Sequence, residues 1–179
     1  TAIDRFNSNN GVDGSIDFWV NQGQTYTIFV VGSYYYHEFK YKIKADFSNT
    51  SGEYEIQPNG SQNTAKTIVA NTDYQGKANS NGDNDYYKIT VPSGQSSMTL
   101  SLTHLTQNDS TSDFKVEVFR YDGSGNTPEI HEFSSENGVN SNYTIGVTAN
   151  KVYYLNVYGL GWGNNRRGYK LRTAFGTEN

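Results

Sequence analysis

The sequence predicts an all-β protein built as an antiparallel β-sandwich, and three observations lead to it. Apolar and polar residues alternate with a period of two over many short runs, as in strands that show different faces to a core and to water. Tyrosine, phenylalanine and β-branched residues fill those runs. The 179-residue chain is 15% aromatic, with 15 Tyr, yet only 34% hydrophobic. Its 18 glycines, with asparagine and serine, punctuate the runs, while alanine, leucine and methionine are too sparse for long helices.

Taken in order, residues 15–20 read as a first strand, with Ile16, Phe18 and Val20 on one face. Residues 25–31 read as a second, Tyr26, Ile28 and Val30 facing one way and Thr27, Phe29 and Val31 the other. Two apolar faces predict cover on both sides. Residues 38–47 read as a third strand, with Phe39, Tyr41 and Ile43 opposite three lysines. A Ser-, Asn-, Gly- and Glu-rich linker follows at 48–63, holding one of the chain's three prolines. Residues 64–68 fit a short strand or a helical turn. Residues 85–91 read as a strand with Tyr87, Ile89 and Val91 inward, turned by Pro92-Ser93-Gly94. Further strands are marked by Met98, Leu100 and Leu102, by Phe114, Val116 and Val118, and by Tyr143, Ile145 and Val147. A terminal hairpin closes the chain: Tyr153, Leu155 and Val157 alternate with Tyr154, Asn156 and Tyr158, a glycine-rich turn reverses direction, and Tyr169, Leu171 and Thr173 return.

That hairpin has an earlier counterpart. Ile3, Phe6, Val20, Tyr26, Val30 and Gly32 stand at one constant interval before Ile130, Phe133, Val147, Tyr153, Val157 and Gly159. After one extra residue in the turn, Tyr41-Lys42-Ile43 and Phe47 match Tyr169-Lys170-Leu171 and Phe175. Similarity at a fixed period signals tandem units. Residues 1–50 are therefore expected to be the C-terminal half of a first sandwich unit, and residues 51–179 a complete second one.

Several functions are disfavoured. Net charge is −4 and no basic cluster is denser than Arg166-Arg167, so nucleic-acid binding is not expected. There is no cysteine, hence no disulfide scaffold, thiolate nucleophile or cysteine zinc site. No apolar run approaches the roughly 18 residues of a membrane span. The absence of a signal peptide is what a mature chain would show. His37, His104 and His131 lack zinc-binding spacing, and neither a nucleophile-elbow motif nor a phosphate loop occurs.

The order of motifs resembles a known family. It runs from the acidic linker Glu53-Tyr54-Glu55-Ile56-Gln57-Pro58-Asn59 to Thr64-Ala65, Gly76 and Asp85-Tyr86-Tyr87. A Phe-x-Val-x-Val strand and the Tyr-Tyr-Leu-x-Val-Tyr…Gly-Tyr-x-Leu hairpin complete it. The whole is similar to the bacterial pre-peptidase C-terminal domain, especially the collagen-binding domains of clostridial-type collagenases. The resemblance covers residues 51–175 and, for its terminal half, 1–47. It implies a jelly-roll β-sandwich, often in tandem, attached to secreted proteases and not itself catalytic.

The resemblance also implies sites. Family members hold calcium with oxygens from the linker and from the loop before Asp-Tyr-Tyr, which places ligands at Glu55, Gln57, Asn59, Gly60, Gly82 and Asp85. Glu55, Asn59 and Asp85 keep suitable side chains, Gln57 offers a neutral carbonyl, and Asp83 could compensate for the glycines. The alternative is a solvated linker and an Asp/Asn turn bonding its own backbone. Tyr154 and Tyr158 stand where collagen-binding members place tyrosines. A further family tyrosine is Leu160 here, with Trp162 two residues on to take its place, and the family's tryptophan near Val116 is missing. Tyrosine suits such a face because it offers flat apolar area and a hydroxyl at low entropic cost. The alternative is that these rings merely cover the sheet.

The expected function is a non-catalytic accessory module, extracellular or at the cell surface. It would bind an extended polymer, collagen-like protein or polysaccharide, through Tyr154, Tyr158 and Trp162, or act as a spacer. The rival is a self-assembling subunit whose open-edged strands pair with copies of itself.

Overall fold

The computed structural model describes residues 14, 15, 20, 23–31, 41–47, 53–78, 82–105, 113–123, 127–160 and 167–177. Its ordered elements begin with two short strands, β1 (Glu53–Tyr54) and β2 (Lys66–Thr67), separated by a 3-10 turn at Gln62–Thr64. Eight longer strands follow: β3 (Asp73–Ala78), β4 (Asn84–Thr90), β5 (Ser97–His104), β6 (Asp113–Arg120), β7 (Glu129–Ser135), β8 (Ser141–Gly146), β9 (Val152–Leu160) and β10 (Arg167–Gly176). They form two five-stranded sheets, ordered β1-β3-β10-β5-β8 and β2-β4-β9-β6-β7, packed face to face. The all-β sandwich is thus the observed fold.

The alternation does what period-two patterning predicts. In β5, Met98, Leu100 and Leu102 are buried while the intervening residues are half-exposed; β6 does the same with Phe114, Val116 and Val118. From β4, β9 and β10 come Tyr87 and Ile89, Tyr153, Leu155 and Val157, and Tyr169 and Leu171. Aromatic edges interlock between the sheets, with the Phe114 and Tyr169 rings 5.3 Å apart at 66°. Turns use the residues they require: Asn137, Gly138 and Asn150 hold positive φ between β7 and β8 and between β8 and β9, and Gly94 does so before β5.

Three features differ from the reading of the sequence. First, the sheets are mixed, because β1 pairs parallel to β3 and β2 parallel to β4. The linker crosses from one sheet edge to the other without reversing, adding one short strand to each. Lys66 fastens this crossing: its Nζ is 3.0 Å from Glu53 Oε2, donates to Tyr54 O and stands 5.2 Å over the Tyr74 ring. Second, β3 and β7 are strands that the alternation does not announce. Their inward residues include Gly76, His131 and Ser135, which carry little apolar signal. Third, residues 25–31 and 41–47 carry no strand; Phe29 (86% exposed) and Val31 are exposed rather than covered on both sides, and Tyr41 and Phe47 are exposed as well. Alternation supplies faces but not a hydrogen-bonding neighbour, and the ladder is what makes a strand. Residues 16–19 of the strand expected at 15–20, and residues 38–40 of that expected at 38–47, lie outside the described residues.

Candidate functional site: a buried carboxylate cluster and an aromatic sheet face

The linker leaves β1 and runs under the start of β4. The Glu55 N–H donates to Gln75 O at 2.7 Å, fixing the linker against β3, and the Tyr86 N–H donates to Asn59 O at 2.9 Å, fixing it against β4. Between these ties the Gln57–Pro58 peptide is cis. The two ties bring Glu55, Asn59 and Asp85 together, all buried although Glu55 and Asp85 are far apart in sequence. Gln57 Nε2 donates to Asp85 Oδ1 at 3.3 Å. Behind Asp85 is a phenolic relay: Tyr87 O–H donates to Tyr169 Oη at 2.7 Å, and Tyr169 O–H donates to Asp85 Oδ2 at 2.7 Å. Gly76 makes the relay possible, since a Cβ there would lie 2.2 Å from Cζ and Oη of Tyr169.

The electrostatics of this cluster are unusual. Burial, then repulsion from Asp85 and Asp83, pushes the Glu55 carboxyl far up, to about 11. Burial is also the first cause that lifts Asp85, to about 7; its hydrogen bond with Glu55 opposes this most, Asp83 adds repulsion, and the Tyr169 hydroxyl and Asn59 oppose it further. Both phenols lie well above their ordinary value because burial disfavours phenolate. Glu55 Oε2 and both polar atoms of the Asn59 side chain are buried with no well-formed hydrogen bond, although Glu55 and Asn59 both interact with Asp85. Buried polar groups are nearly always satisfied, and buried carboxylates are costly unless paired or ligating a cation. Two of these three atoms, Glu55 Oε2 and Asn59 Oδ1, are oxygens, the donor type hard divalent cations require. The donor set therefore fits calcium: Glu55, Asn59 and Asp85 supply side-chain oxygens, with half-buried Asp83 alongside.

The second region is the outer face of the β2-β4-β9-β6-β7 sheet. Tyr154, Asn156 and Tyr158 stand in a row on β9, flanked by Lys88, Tyr86 and Asn84 of β4 and by Phe119, Glu117 and Lys115 of β6. Both tyrosines are half-buried. Tyr154 lies beneath Lys88, whose Nζ is 6.0 Å from the ring centroid. Tyr158 O–H donates to Glu117 Oε1 at 2.9 Å, and burial, then this bond, raises the phenol. Asn156 Nδ2 donates to Asn84 Oδ1 and to Glu117 Oε2, both at 3.0 Å. Tyr86 and Phe119 pair across β9 with centroids 6.3 Å apart. Trp162 lies outside the described residues, so the structure brings together two of the three expected ring positions.

Two groupings had no sequence signal. Glu117, Glu129 and Glu132 place carboxylate oxygens within 4.8 Å of one another, which only the β6–β7 register arranges. His104 Nε2 lies 2.6 Å from Ser135 Oγ, and that hydroxyl donates to Val139 O at 2.5 Å. With the serine proton engaged by a carbonyl and both side chains buried, this pair locks a turn and is no nucleophile.

No family model matches the sequence, and no curated protein matches it. Among solved structures, the fold is similar to the pre-peptidase C-terminal domain of a collagenase from Bacillus anthracis. The two are 17% identical with a TM-score of 0.44, over 71% of this chain and all of that one. It is also similar to tripeptidyl peptidase 2, at 12% identity and a TM-score of 0.41 over 61% of this chain; the match spans 10% of that much longer chain.

Proposed function

We propose that the protein is a non-catalytic, extracellular accessory module that binds an extended polymer on its outer sheet face and is held rigid by calcium. The observation that carries the binding reading is the row Tyr154–Asn156–Tyr158. These side chains stand on a strand hydrogen-bonded on both sides, so flat rings are presented by a rigid surface rather than by a loop. A sheet face of this kind fits a long, repetitive ligand better than a small molecule, which needs enclosure. Stacking on the rings and hydrogen bonds to the hydroxyls would supply affinity. Trp162, two residues beyond the end of β9 in sequence, joins the proposed ligand set.

Calcium would bind through Glu55, Asn59 and Asp85, with Asp83 as a further carboxylate. It would supply positive charge to carboxyls whose ionised forms burial disfavours. The chain's own contribution is orientation: Tyr169 and Gln57 each hold one Asp85 oxygen, and the β3 and β4 ties hold the linker.

The test is retention on insoluble collagen and on insoluble polysaccharides. The parent protein should be retained on one of them, and Y154A/Y158A should lose retention at a temperature where its melting curve shows it folded. Retention unaffected by the double substitution, or no retention by the parent, removes the reading.

A second reading, self-assembly by strand addition, draws on the exposed apolar residues Ile28, Phe29 and Val31. Size-exclusion chromatography separates the two: concentration-dependent oligomers support assembly, and a monodisperse monomer rejects it.

A further inference from the structure

We infer that copies of this chain join through one defined contact, in which residues 41–47 of one copy add as a strand to the open edge of β7 in the next. The inference rests on the self-assembly reading above and names its donor, its acceptor and its partner, a second copy of the chain.

The acceptor is an open seam. β7 ends its sheet, bonded to β6 on one side and to no strand on the other among the described residues. β8 ends the facing sheet, and the two edges lie over one another. Tyr143 of β8, 41% exposed, stacks between them on His131 and Phe133, with ring centroids 4.2 and 5.5 Å apart. His131 Nε2 is buried in this seam with no hydrogen-bond partner. An open strand edge beside exposed rings is a template for a further strand. It is also selective: His131 and Phe133 face in, opposite Val118 and Val116, whereas Glu129 and Glu132 stand on the outer face, opposite Phe119 and Glu117. Two β7 edges brought together would crowd like charges, which disfavours pairing. The strand that fits carries apolar residues alternating with cations.

Residues 41–47 carry that pattern and match β7 in length. Tyr41, Ile43 and Phe47 alternate with Lys42 and Lys44, all exposed. In the internal repeat Tyr41-Lys42-Ile43 matches Tyr169-Lys170-Leu171 of β10, where the tyrosine and leucine are buried and the lysine pairs with Asp73 on the outer face. Laid on β7, Tyr41, Ile43 and Phe47 would extend the ring seam, and Tyr41 would bring a hydroxyl to it. Lys42 and Lys44 would meet Glu129 and Glu132. Lys115 reaches Glu132 from β6, away from the open edge. Lys44 pairs with Asp46 in a highly exposed contact, which is worth little and easily exchanged.

The partner is a second copy because the chain's own β7 is out of reach. Glu53 opens β1, at the far edge of the other sheet. Around the outside, the path from β7 to β1 covers one sheet separation and four strand spacings, about 29 Å before any clearance for side chains. Fully extended, the chain from Phe47 to Glu53 spans at most about 22 Å. Each copy therefore donates from one side and accepts on the other, a head-to-tail contact that closes into rings or runs on as filaments. It leaves the Tyr154–Asn156–Tyr158 row of β9 uncovered, because β6 stands between β9 and β7.

The test is sedimentation velocity of the full chain over a wide concentration range at low ionic strength, with each variant shown by melting temperature to be folded. Wild type should form oligomers that grow with concentration, and Y41S/I43S should be monomeric. K42E/K44E and E129K/E132K should each weaken association at least about tenfold, since like charges then face one another. An equimolar mixture of those two should recover wild-type association, because every donor then finds an edge of opposite charge. Failure of the mixture to recover overturns the pairing of residues 41–47 with β7. Wild-type oligomers that none of these substitutions weakens overturn this contact but leave self-assembly standing. A monodisperse wild-type monomer overturns both.

Discussion

Tyr169 donates its phenolic proton to Asp85 Oδ2 at 2.7 Å, joining the last strand to the carboxylate cluster under the linker. The contact lies wholly within the core, and Tyr87 donates into it from behind. Y169F keeps the ring and removes the hydroxyl, so Asp85 loses a donor and Tyr87 loses its acceptor. The expected cost is about 1.5–3 kcal/mol, the range for a buried hydrogen bond to an ionisable group. Thermal or urea unfolding of Y169F against wild type measures it. A change within error would mean that the relay contributes nothing to stability.

Gly76 is expected to be comparably sensitive. G76A places a methyl carbon 2.2 Å from the Tyr169 ring, in a strand paired on both sides. The ring must leave Asp85 or the strands must part. Overpacking of this kind costs about 1–3 kcal/mol. The combination G76A/Y169F should cost less than the sum of its parts, because the relay can be lost only once. Additive losses would show that Gly76 acts elsewhere.

Metal-free stability should fall as pH rises through the neutral range. Burial holds Asp85 at about 7 and Glu55 at about 11 in the folded chain, above the ordinary 3.8 and 4.5. Carboxyls raised in this way bind protons more tightly folded than unfolded. Their stabilisation is therefore fully present below about pH 4 and is lost as pH climbs through the folded value of Asp85. Calcium should reverse the trend, because it binds the ionised pair and releases protons. Melting temperature measured from pH 4.5 to 8.5, with chelator and with calcium, should diverge upward in pH. D85N should abolish the divergence. Coincident curves for wild type would remove calcium from the linker site.

Much of this arrangement can be read in the sequence, though unevenly. The core strands were legible because β4, β5, β6 and β9 alternate cleanly. Asp85 could be suspected because it occupies the inward position of the run that buries Tyr87 and Ile89, where a carboxylate needs a reason. Glu55 and Asn59 gave no such cue, since the linker has no period; only the resemblance placed them beside Asp85. The parallel edge pairings and the register that gathers Glu117, Glu129 and Glu132 are products of topology, which alternation does not encode. Residues 25–31 show the converse: a convincing two-faced run carries no strand.

His104 is expected to resist protonation. Burial lowers it below its ordinary 6.5, and Asp113 opposes this only as the lesser cause. Since the Ser135 hydroxyl donates to Val139 O, the ring stays neutral with Nε2 as donor. A base depressed on folding stabilises above about pH 6.5, and that stabilisation is lost as pH falls towards the folded value. The His104 ring resonances, followed by NMR, should titrate below those of a histidine in an unfolded peptide. A midpoint at or above the peptide value would mean that the pair carries positive charge.

Tyr154 and Leu155 are neighbours in sequence on opposite faces of β9, and their truncation should separate fold from function. Leu155 is fully buried among core side chains. Leu155→Ala removes that packing and leaves a cavity, an expected loss of about 2–5 kcal/mol. Tyr154 is half-buried, its ring under Lys88 on the outer face. Tyr154→Ala should cost under about 1.5 kcal/mol, since the ring fills no cavity. Polymer retention should show the reverse order: lost in Tyr154→Ala, and kept by Leu155→Ala at temperatures where it remains folded. Equal destabilisation by the two substitutions would place Tyr154 among the structural rings of the sheet rather than on a ligand face.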